Sequence, residues 1–525
     1  MFKILVSDPI AQEGLDILSG EASVDVQPGL KEAELKAILP KYDGLIVRSE
    51  TKVTSEIIEC GTNLQVIGRA GVGVDNIDLE AATRKGVAVV NAPTGNTIAA
   101  AEHTLALLFS LARHVPQANA AMREGEWKRS TFIGSEVRGK VLGIIGLGKV
   151  GTAVARRASS FEMQLLGYDP YISKEHANRL GIKLTTLESL YEHSDFITVH
   201  VPMTDTTKSL IGNTELNMMK DGVKLINVAR GGIINETALI ENLNSGKVSG
   251  AALDVFVQEP PGATELIKHP YVISTPHLGG STTEAQTEVA KEVAREALEV
   301  LNGKSAKSTV NVPFLSPDVQ EVVLPYLDTA TALGKLVSQL AEGQFSSLTI
   351  KYSGELAAYS TPTLKAAVLV GFLGPVSEEK VNLVNANLLA TQRGLRIIEE
   401  TDTASAAYNA SITIVANTDK GSFSLTGTRI QQETHIVQVN DYLIDVVPSS
   451  EYLLFIEHQD KPGMIGALGT LTGSHDINIA FMAVGREAPR GKAMMVVGLD
   501  DNVSETVLNE IGSIANIDRA SLVKI

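Results

Sequence analysis

Short apolar runs alternate with amphipathic stretches through the first 310 residues of the chain. Apolar runs at residues 2–7 and 44–48 predict buried strands, and the stretches at residues 12–18 and 32–39 predict helices between them. Alternating strands and helices are typical of a parallel sheet covered on both faces. Such sheets bind ligands at the carboxyl ends of their strands, so we expect functional residues in the loops that follow the apolar runs.

A glycine motif follows the apolar run at residues 140–145. Gly146, Gly148 and Gly151 occupy the three glycine positions of G-x-G-x-x-G at the start of a predicted helix. These glycines allow a tight turn, close approach of a pyrophosphate to backbone N–H groups, and close packing of helix on strand. The next predicted strand ends at Asp169, whose carboxylate suits a ribose 2′-hydroxyl and repels a 2′-phosphate. The motif therefore predicts a site for NAD rather than NADP.

Charged residues follow several predicted strands. Arg48 and Arg69 come after strands of the first unit, where a pair of arginines suits an anionic substrate, although a lone loop arginine is usually solvated. Arg230, Glu259 and His277 come after strands of the second unit. An arginine, a carboxylate and an imidazole are the groups needed to oxidise a 2-hydroxy acid, provided that the fold brings them together.

The helix predicted at residues 97–113 carries two titratable residues, Glu102 and His103, in its interior. Adjacent positions on a helix point in different directions, so we do not interpret this pair as an acid–base dyad. We interpret both residues as helix-surface groups or as polar contacts between helices.

Composition narrows the class of protein. The 525 residues suffice for three or four domains, and the net charge of −16 argues against a nucleic-acid or anionic-membrane surface. The single cysteine, Cys60, excludes an internal disulfide and a thiolate zinc site, and we expect no metal site. No apolar run reaches the roughly 18 residues that span a bilayer. We expect a cytoplasmic protein.

Four motifs together resemble those of the D-isomer-specific 2-hydroxyacid dehydrogenases. They are GLGKVG with Asp169, NVARGGIINE from Asn227, AALDVF followed by EPP up to Pro261, and PHLGGST from Pro276. The resemblance covers residues 1–310. It implies a flavodoxin-like substrate domain of residues 1–97 and 284–310, into which a Rossmann-type doubly wound NAD domain of residues 98–283 is inserted.

The same resemblance implies roles for the charged residues. His277 would be the general base, Glu259 would hold its imidazole and favour the charged form, and Arg230 would pair with the substrate carboxylate. The implied NAD contacts come from Gly146, Gly148, Lys149, Val150, Gly151, Asp169, Pro202, Thr207, Ala229, Arg230, Asp254, His277, Gly279 and Gly280.

The rest of the chain predicts two further domains. Residues 451–525 look like a ferredoxin-like ACT domain, which either binds an amino-acid effector through His458, Asp460 and Asn478 or only dimerises. Residues 315–447 predict an α+β intervening domain, with a helix at residues 319–341 and three strands at 347–353, 411–415 and 422–426. Residues 304–317 predict a linker.

This layout resembles the long form of the family. It implies 3-phosphoglycerate as the substrate, L-serine as a possible effector, and a homodimer or homotetramer. The segment around Arg129 resembles one that reaches into a neighbouring subunit's site. Substrate contacts are implied for Arg48, Ser49, Arg69, Gly71, Val72, Asn96 and Arg129.

Two alternatives remain open at this point. One keeps the fold but changes the substrate, as in the glyoxylate, lactate or formate dehydrogenases, which resemble only residues 1–310. The other is an NAD-sensing interaction protein of the kind found among related corepressors. The ACT-like tail disfavours the first, and the presence of Arg230, Glu259 and His277 disfavours the second.

Overall fold

Five parallel strands form the first sheet, in the order β2-β1-β3-β4-β5. The structure is a computed structural model that describes residues 1–304, 306–312, 317–359, 361–403 and 408–525. Four helices connect the strands and cover both faces. The elements are β1 (Phe2–Val6), α1 (Gln12–Ser19), β2 (Ala22–Val26), α2 (Glu32–Ile38), β3 (Gly44–Val47), α3 (Ser55–Cys60), β4 (Val66–Arg69), α4 (Leu79–Arg84) and β5 (Ala88–Asn91).

Seven parallel strands form the second sheet, in the order β12-β11-β10-β9-β6-β7-β8. The strand order reverses between β6 and β9, which places the glycine motif at the switch point where such sheets bind nucleotides. The elements are α5 (Thr97–Arg113), α6 (Val115–Arg123), β6 (Val141–Ile145), α7 (Lys149–Ser160), β7 (Gln164–Tyr168), α8 (Lys174–Arg179), β8 (Lys183–Leu184), α9 (Leu187–His193), β9 (Phe196–Val199), α10 (Asn213–Met218), β10 (Val223–Asn227), α11 (Glu236–Asn244), β11 (Val248–Leu253), α12 (Glu265–Lys268) and β12 (Val272–Ser274).

The next helix, α13 (Thr283–Leu301), returns to the first sheet. Its Val289 and Val293 are buried in the core that the first sheet shares with α1. A β-carbon on Gly14 of α1 would lie 2.8 Å from Ala290, and one on Gly68 of β4 would lie 2.9 Å from Val293. Glycine at both positions therefore allows α13 to approach closely.

A six-stranded mixed sheet follows, in the order β14-β13-β15-β16-β17-β18, in which only β13 and β14 pair in parallel. Two long helices, α15 and α16, pack together against it. The elements are α14 (Pro317–Val323), α15 (Leu327–Leu340), β13 (Phe345–Gly354), α16 (Pro362–Leu373), α17 (Ala386–Gln392), β14 (Arg396–Asp402), β15 (Ala410–Thr418), β16 (Gly421–Ile430), β17 (Glu433–Val439) and β18 (Tyr442–Val446).

The single helix predicted at residues 319–341 is wrong. A 3-10 turn at Leu324–Tyr326 separates α14 from α15, because Pro325 has no N–H for the helical ladder and its ring clashes with the preceding turn. The predicted linker at residues 304–317 lies partly outside the described residues, since 305 and 313–316 are among those not described.

The C-terminal unit has the βαββαβ order of a ferredoxin-like ACT domain, with the sheet order β20-β21-β19-β22. One face of its sheet packs on its own two helices. The opposite face places Leu453, Phe455 and Val496 in the core of the preceding six-stranded unit. The elements are β19 (Tyr452–Gln459), α18 (Met464–Ser474), β20 (Ile479–Arg486), β21 (Lys492–Leu499), α19 (Glu505–Gly512) and β22 (Ile517–Lys524).

The predicted fold class is confirmed: two parallel α/β sheets are followed by an α+β unit and a ferredoxin-like unit. Among the helices of the described ranges, none is long and apolar enough to cross a bilayer.

Candidate active site

A cavity of about 290 Å³ lies between the first and second units. Arg48 lies in the loop after β3 and Arg69 is the last residue of β4, while Glu259 and His277 come from loops of the second unit. The fold thus brings Arg48 and Arg69 next to residues that lie 190 to 229 positions further along the sequence. Other predicted residues that line the cavity are Ser49, Gly71, Asn96 and Gly280.

Part of the Arg69 guanidinium has no hydrogen-bond partner among the described residues. Its Nε is buried and has no hydrogen-bond partner within the described parts of the chain. Burial, followed by repulsion from Arg230 and Arg48, lowers the pKa of Arg69 to about 10, so the guanidinium stays charged at neutral pH. A β-carbon on Gly71 would overlap the guanidinium. Crowded cations beside a cavity favour an anionic ligand.

The loop that carries Arg48 is fixed by residues that sequence reasoning missed. The buried carboxylate of Asp8 accepts the backbone N–H groups of Arg48, at 2.5 Å, and Thr51, at 3.1 Å. The side-chain amide of Asn76 donates to the carbonyl oxygens of both residues at 2.7 Å. Asp8 lies two residues after the end of β1, so the rule that ligands bind at the carboxyl ends of strands could have identified it.

Arg230 follows β10 and makes an ion pair across the cleft. Its Nε lies 3.2 Å from Oδ2 of Asp75, which belongs to the first unit, and its Nη1 donates to the carbonyl of Ala229 at 2.7 Å. The side-chain amide of Asn227 donates to the carbonyl of Arg230 at 2.8 Å. Arg230 is not among the described residues that line the cavity, but its charge lies close enough to Arg69 to help lower the pKa of that guanidinium.

His277 and Glu259 form a direct pair. Nδ1 of His277 lies 2.7 Å from Oε2 of Glu259, and Oε1 accepts the backbone N–H of Phe256 at 3.0 Å. Partial burial alone would raise the pKa of Glu259, but the hydrogen bonds from His277 and Phe256 outweigh it and keep the pKa below its usual value. An ionised Glu259 holds the proton on Nδ1, which leaves Nε2 of His277 able to accept another proton.

The structure buries Asp254 beneath the loop of His277. Both of its carboxylate oxygens accept hydrogen bonds from the protein, including the N–H of Gly279 at 2.8 Å. Asp254 therefore supports the loop that carries His277 and Gly280, and a direct contact with NAD stays a prediction. His103, which we interpreted as a helix-surface or inter-helix residue, contacts Asp254 at 3.2 Å.

The glycine loop joins β6 to α7 with the geometry of a nucleotide cradle. Gly146 has a positive φ of 91°, and a β-carbon on Gly151 would lie 2.0 Å from the Gly146 carbonyl oxygen. A β-carbon on Gly148 would instead meet nothing within 4 Å, so the space in front of α7 is open. Asp169 follows β7 and accepts the N–H of Leu147 at 2.8 Å. An open helix start beside a carboxylate fits a dinucleotide.

Some of the remaining predicted residues lie near the cavity or the glycine loop, and Arg129 does not. Thr207 donates to the carbonyl of Pro202 at 2.6 Å in the loop after β9, at the same sheet edge as the glycine loop with Lys149 and Val150. Val72 adjoins the cavity through its neighbour Gly71. Arg129 is exposed and does not line this cavity, so its role in a neighbouring subunit stays a prediction.

The C-terminal unit contains a second cavity, of about 440 Å³. His458 and Asp460 line it, and the buried Nε2 of His458 has no hydrogen-bond partner within the described residues. Asn478 is not among the described residues that line this cavity. It precedes β20, and its amide donates to Asp500 after β21 at 2.6 Å, whereas Arg486 at the other end of β20 lines the cavity. A role for Asn478 in effector binding stays a prediction.

Comparisons with known proteins match three domain families along the chain. Residues 105–279 match the model of the D-isomer specific 2-hydroxyacid dehydrogenase NAD binding domain, residues 322–440 match the D-3-phosphoglycerate dehydrogenase intervening domain, and residues 452–516 match the ACT domain. A D-lactate dehydrogenase from Aquifex aeolicus, solved with NAD and lactic acid, aligns with a TM-score of 0.53 at 28% identity. The alignment covers 59% of this chain and 99% of that one.

Similarity over the whole chain is higher. The D-3-phosphoglycerate dehydrogenase of Synechocystis sp. is 48% identical, covering 100% of this chain and 95% of its own. That of Bacillus subtilis is 42% identical, covering 100% and 99%. Fold and site define an NAD-dependent dehydrogenase of the D-isomer-specific 2-hydroxyacid class. Within that class, the chain belongs to the D-3-phosphoglycerate dehydrogenase family.

Proposed function

We propose that the chain oxidises 3-phospho-D-glycerate to 3-phosphohydroxypyruvate with NAD, the first step of the phosphorylated route of L-serine biosynthesis. Full-length similarity to D-3-phosphoglycerate dehydrogenases of bacteria and archaea supports this activity. The observation that carries it is the meeting of Arg48 and Arg69 with the Glu259–His277 pair in one cavity. A phosphate and a carboxylate on one small substrate need several cations beside one base.

In this proposal the reaction divides among the charged residues. Arg48 and Arg69 bind the phosphate, and Arg230 turns from Asp75 to the substrate carboxylate and C2 oxygen, which fixes the direction of the C2–H bond. Nε2 of His277 takes the C2 hydroxyl proton, and Glu259 stabilises the resulting imidazolium through Nδ1. Backbone N–H groups of Gly71 and Val72 receive the carboxylate.

NAD would be held by the loop of Gly146, Gly148 and Gly151, with its pyrophosphate at the start of α7 and its ribose hydroxyls at Asp169. When bound, NAD supplies the nicotinamide carbon that accepts the hydride from C2. Loops at the same sheet edge would hold the nicotinamide end, through Pro202, Thr207, Ala229, Asp254, Gly279 and Gly280.

The test is NADH formation measured with 3-phosphoglycerate, D-lactate, glycolate and formate. We expect 3-phosphoglycerate to give the highest kcat/KM, because only its phosphate uses Arg48 and Arg69. His277→Ala should lower kcat by about 10²- to 10⁴-fold, the range for loss of a general base. Equal rates with D-lactate, or near-normal turnover of His277→Ala, would contradict the proposal.

The C-terminal cavity supports L-serine as an effector. Asp460 lies at its rim, with its carboxylate accepting from Nη1 of Arg486 at 3.2 Å and from the N–H of Arg490 at 3.0 Å. The hydrogen bond from the N–H of Arg490, then that from the Arg486 side chain, keeps the pKa of Asp460 below its usual value. An ionised Asp460 and the free Nε2 of His458 give partners for the amine and hydroxyl of serine. Asn478 does not line this cavity, and its contact with the effector stays a prediction.

We also propose a cytoplasmic homodimer or homotetramer. Trp127 and Ile133 flank Arg129 and are 74% and 78% exposed, which favours burial of this segment against a second copy. Analytical ultracentrifugation combined with calorimetric titration of serine tests both proposals. A monomer at micromolar concentration, or the absence of serine binding, would remove the corresponding proposal.

A further inference from the structure

Asp254 holds the loop of His277 through three consecutive backbone N–H groups. Its Oδ1 accepts the N–H of Leu278 at 2.7 Å, and its Oδ2 accepts that of Gly279 at 2.8 Å. Its main-chain carbonyl accepts the N–H of His277 at 2.9 Å. One buried residue at the end of β11 therefore determines the path of residues 277–279.

His277 has a backbone conformation that its surroundings must impose. Its φ is +55°, in the left-handed region, where the β-carbon of a non-glycine residue crowds the backbone. Such a conformation persists only when neighbouring contacts hold it. If the loop relaxed to a negative φ, the imidazole would turn away from Glu259, whose Oε2 lies 2.7 Å from Nδ1.

Two side chains outside residues 277–279 orient the carboxylate of Asp254. The hydroxyl of Thr275 donates to Oδ1 at 2.5 Å. Nε2 of His103, in the middle of α5, lies 3.2 Å from the same oxygen and 3.1 Å from the Thr275 hydroxyl. Burial would raise the pKa of Asp254, but the bonds from His103, Thr275 and Leu278 outweigh it and keep the pKa low. The ionised carboxylate makes each of these bonds charge-assisted.

We propose that His103 and Thr275 are positioning residues for the reaction. Together they fix the Asp254 carboxylate, which in turn holds the left-handed backbone of His277 and so keeps its imidazole on Glu259. Neither His103 nor Thr275 is among the described residues that line the substrate cavity, so they act through the loop and not on the substrate. This inference rests on the proposed role of His277 as the general base.

Two pairs of variants test the inference. Thr275→Val removes the hydroxyl at constant volume, whereas Thr275→Ser keeps it. His103→Leu removes the donor, whereas His103→Gln can restore it through its amide. We expect Thr275→Val and His103→Leu to lower kcat about 10-fold, since a misplaced base loses its alignment, with KM for 3-phosphoglycerate within about 2-fold. Ser and Gln should recover most of the loss.

The isotope effect separates positioning from simple instability. A mispositioned base slows the chemical step, so the effect of deuterium at C2 of 3-phosphoglycerate on kcat should increase in both damaging variants. A smaller folded fraction would lower kcat and leave the isotope effect unchanged. Thr104→Val is the matched control: Thr104 adjoins His103 on α5, is buried, and donates to the carbonyl of Ala100 at 2.8 Å. It should lower thermal stability without changing the isotope effect.

Normal kcat in Thr275→Val and His103→Leu, or lost kcat with an unchanged isotope effect, would overturn the inference. If Thr275→Val fails to fold, His103→Leu provides the same measurement. His277→Ala distinguishes the positioning role of His103 and Thr275 from the role of His277 as the base. An inactive His277→Ala beside a fully active Thr275→Val overturns only the positioning role, whereas an active His277→Ala overturns the proposed base itself.

Discussion

At the residue scale, the cations of the cleft are arranged for a ligand and not for stability. Arg69 is crowded by Arg48 and Arg230, and its buried Nε has no hydrogen-bond partner in the described chain. Because the folded state disfavours the charged form of Arg69, its charge costs stability at neutral pH, where the unfolded chain carries the same charge. An anion in the cleft would remove this cost, which couples substrate binding to stability.

Arg69→Gln should therefore separate stability from affinity. We expect KM for 3-phosphoglycerate to rise about 10- to 100-fold, because a charge-assisted bond to phosphate is lost. The free energy of unfolding of the free protein should rise by about 0.5–1 kcal/mol, because the cost of burying the charge and its repulsion by Arg230 and Arg48 are removed. Initial-rate kinetics and urea denaturation measure the two quantities.

Arg138→Gln is the control for this substitution. Arg138 is exposed and pairs with Glu162 at 2.9 Å, so its removal should change neither KM nor stability by a measurable amount. An unchanged KM in Arg69→Gln would show that the phosphate binds elsewhere.

Some residues of the site could be predicted from the sequence, whereas the contact between His103 and Asp254 could not. The sequence places Arg48, Arg69, Glu259 and His277 after strands, and the carboxyl-edge rule was enough to nominate them. Nothing in the sequence near His103 points to Asp254, because the two meet only when α5 packs across β11. Contacts between elements depend on how the elements pack, and a local pattern does not contain that information.

At the element scale, the β6–loop–α7 unit assigns different tasks to two glycines. A β-carbon on Gly151 would lie 2.0 Å from the carbonyl oxygen of Gly146, so this glycine sets the distance of helix from strand. A β-carbon on Gly148 would lie in open space, at the place where a pyrophosphate meets the helix. Glycine is therefore required at position 151 by the packing of helix on strand, and at position 148 by the ligand.

Substitution of each glycine by alanine should distinguish the packing role from the ligand-binding role. Gly151→Ala should destabilise the second unit by about 1–3 kcal/mol through overpacking. Gly148→Ala should leave the thermal transition unchanged and raise KM for NAD by at least about 10-fold, because the methyl group occupies the pyrophosphate space. Differential scanning fluorimetry and NAD-dependent kinetics give both quantities. An unchanged KM for NAD in Gly148→Ala would refute the assignment of this loop.

Element prediction failed where tertiary packing outweighed local pattern. Most strands of the two parallel sheets coincide with predicted apolar runs, whereas the short β8 and three strands of the intervening unit, β14, β17 and β18, were not predicted at all. In the intervening unit, β14 has no buried residue and carries several charges, as in Arg396–Asp402, and of these three strands only β18 alternates strictly between buried and exposed residues. The break at Pro325 was visible in the sequence and should have ended the predicted helix.

At the scale of the whole molecule, the ACT sheet shares a hydrophobic core with the intervening unit. Leu453, Phe455 and Val496 join the cluster built on α15 and α16. The side chain of Gln339 in α15 also exchanges two hydrogen bonds of 3.0 Å with the backbone of Lys524 in the edge strand β22. These two units are therefore expected to unfold together, whereas the two dehydrogenase units have cores of their own.

A charge on the shared face tests this expectation. Phe455→Asp should destabilise the intervening and ACT units together by about 3 kcal/mol or more, because a carboxylate would be buried without a partner. NADH binding, followed by its fluorescence, should persist to the same temperature as in the unsubstituted chain. Calorimetry should show one lowered transition and one unchanged transition.

Leu443→Asp controls for the added charge. Leu443 lies on the neighbouring strand β18 and is 74% exposed, so the same substitution should leave both transitions in place. Phe455→Asp could instead lower the temperature at which NADH binding is lost by as much as it lowers the C-terminal transition. In that case the dehydrogenase units would unfold cooperatively with the intervening and ACT units.

Glycine spacing, apolar runs and strand-end residues are local patterns, and they were enough to predict the family, the NAD motif and the order of the units. Full-length similarity to D-3-phosphoglycerate dehydrogenases confirmed that family. Which side chains meet depends on how the elements pack in three dimensions. The tertiary structure places His103 on Asp254, buries one ACT face against the intervening unit, and separates Asn478 from His458. These contacts join residues far apart in the chain, and the packing of helices and sheets alone fixes them.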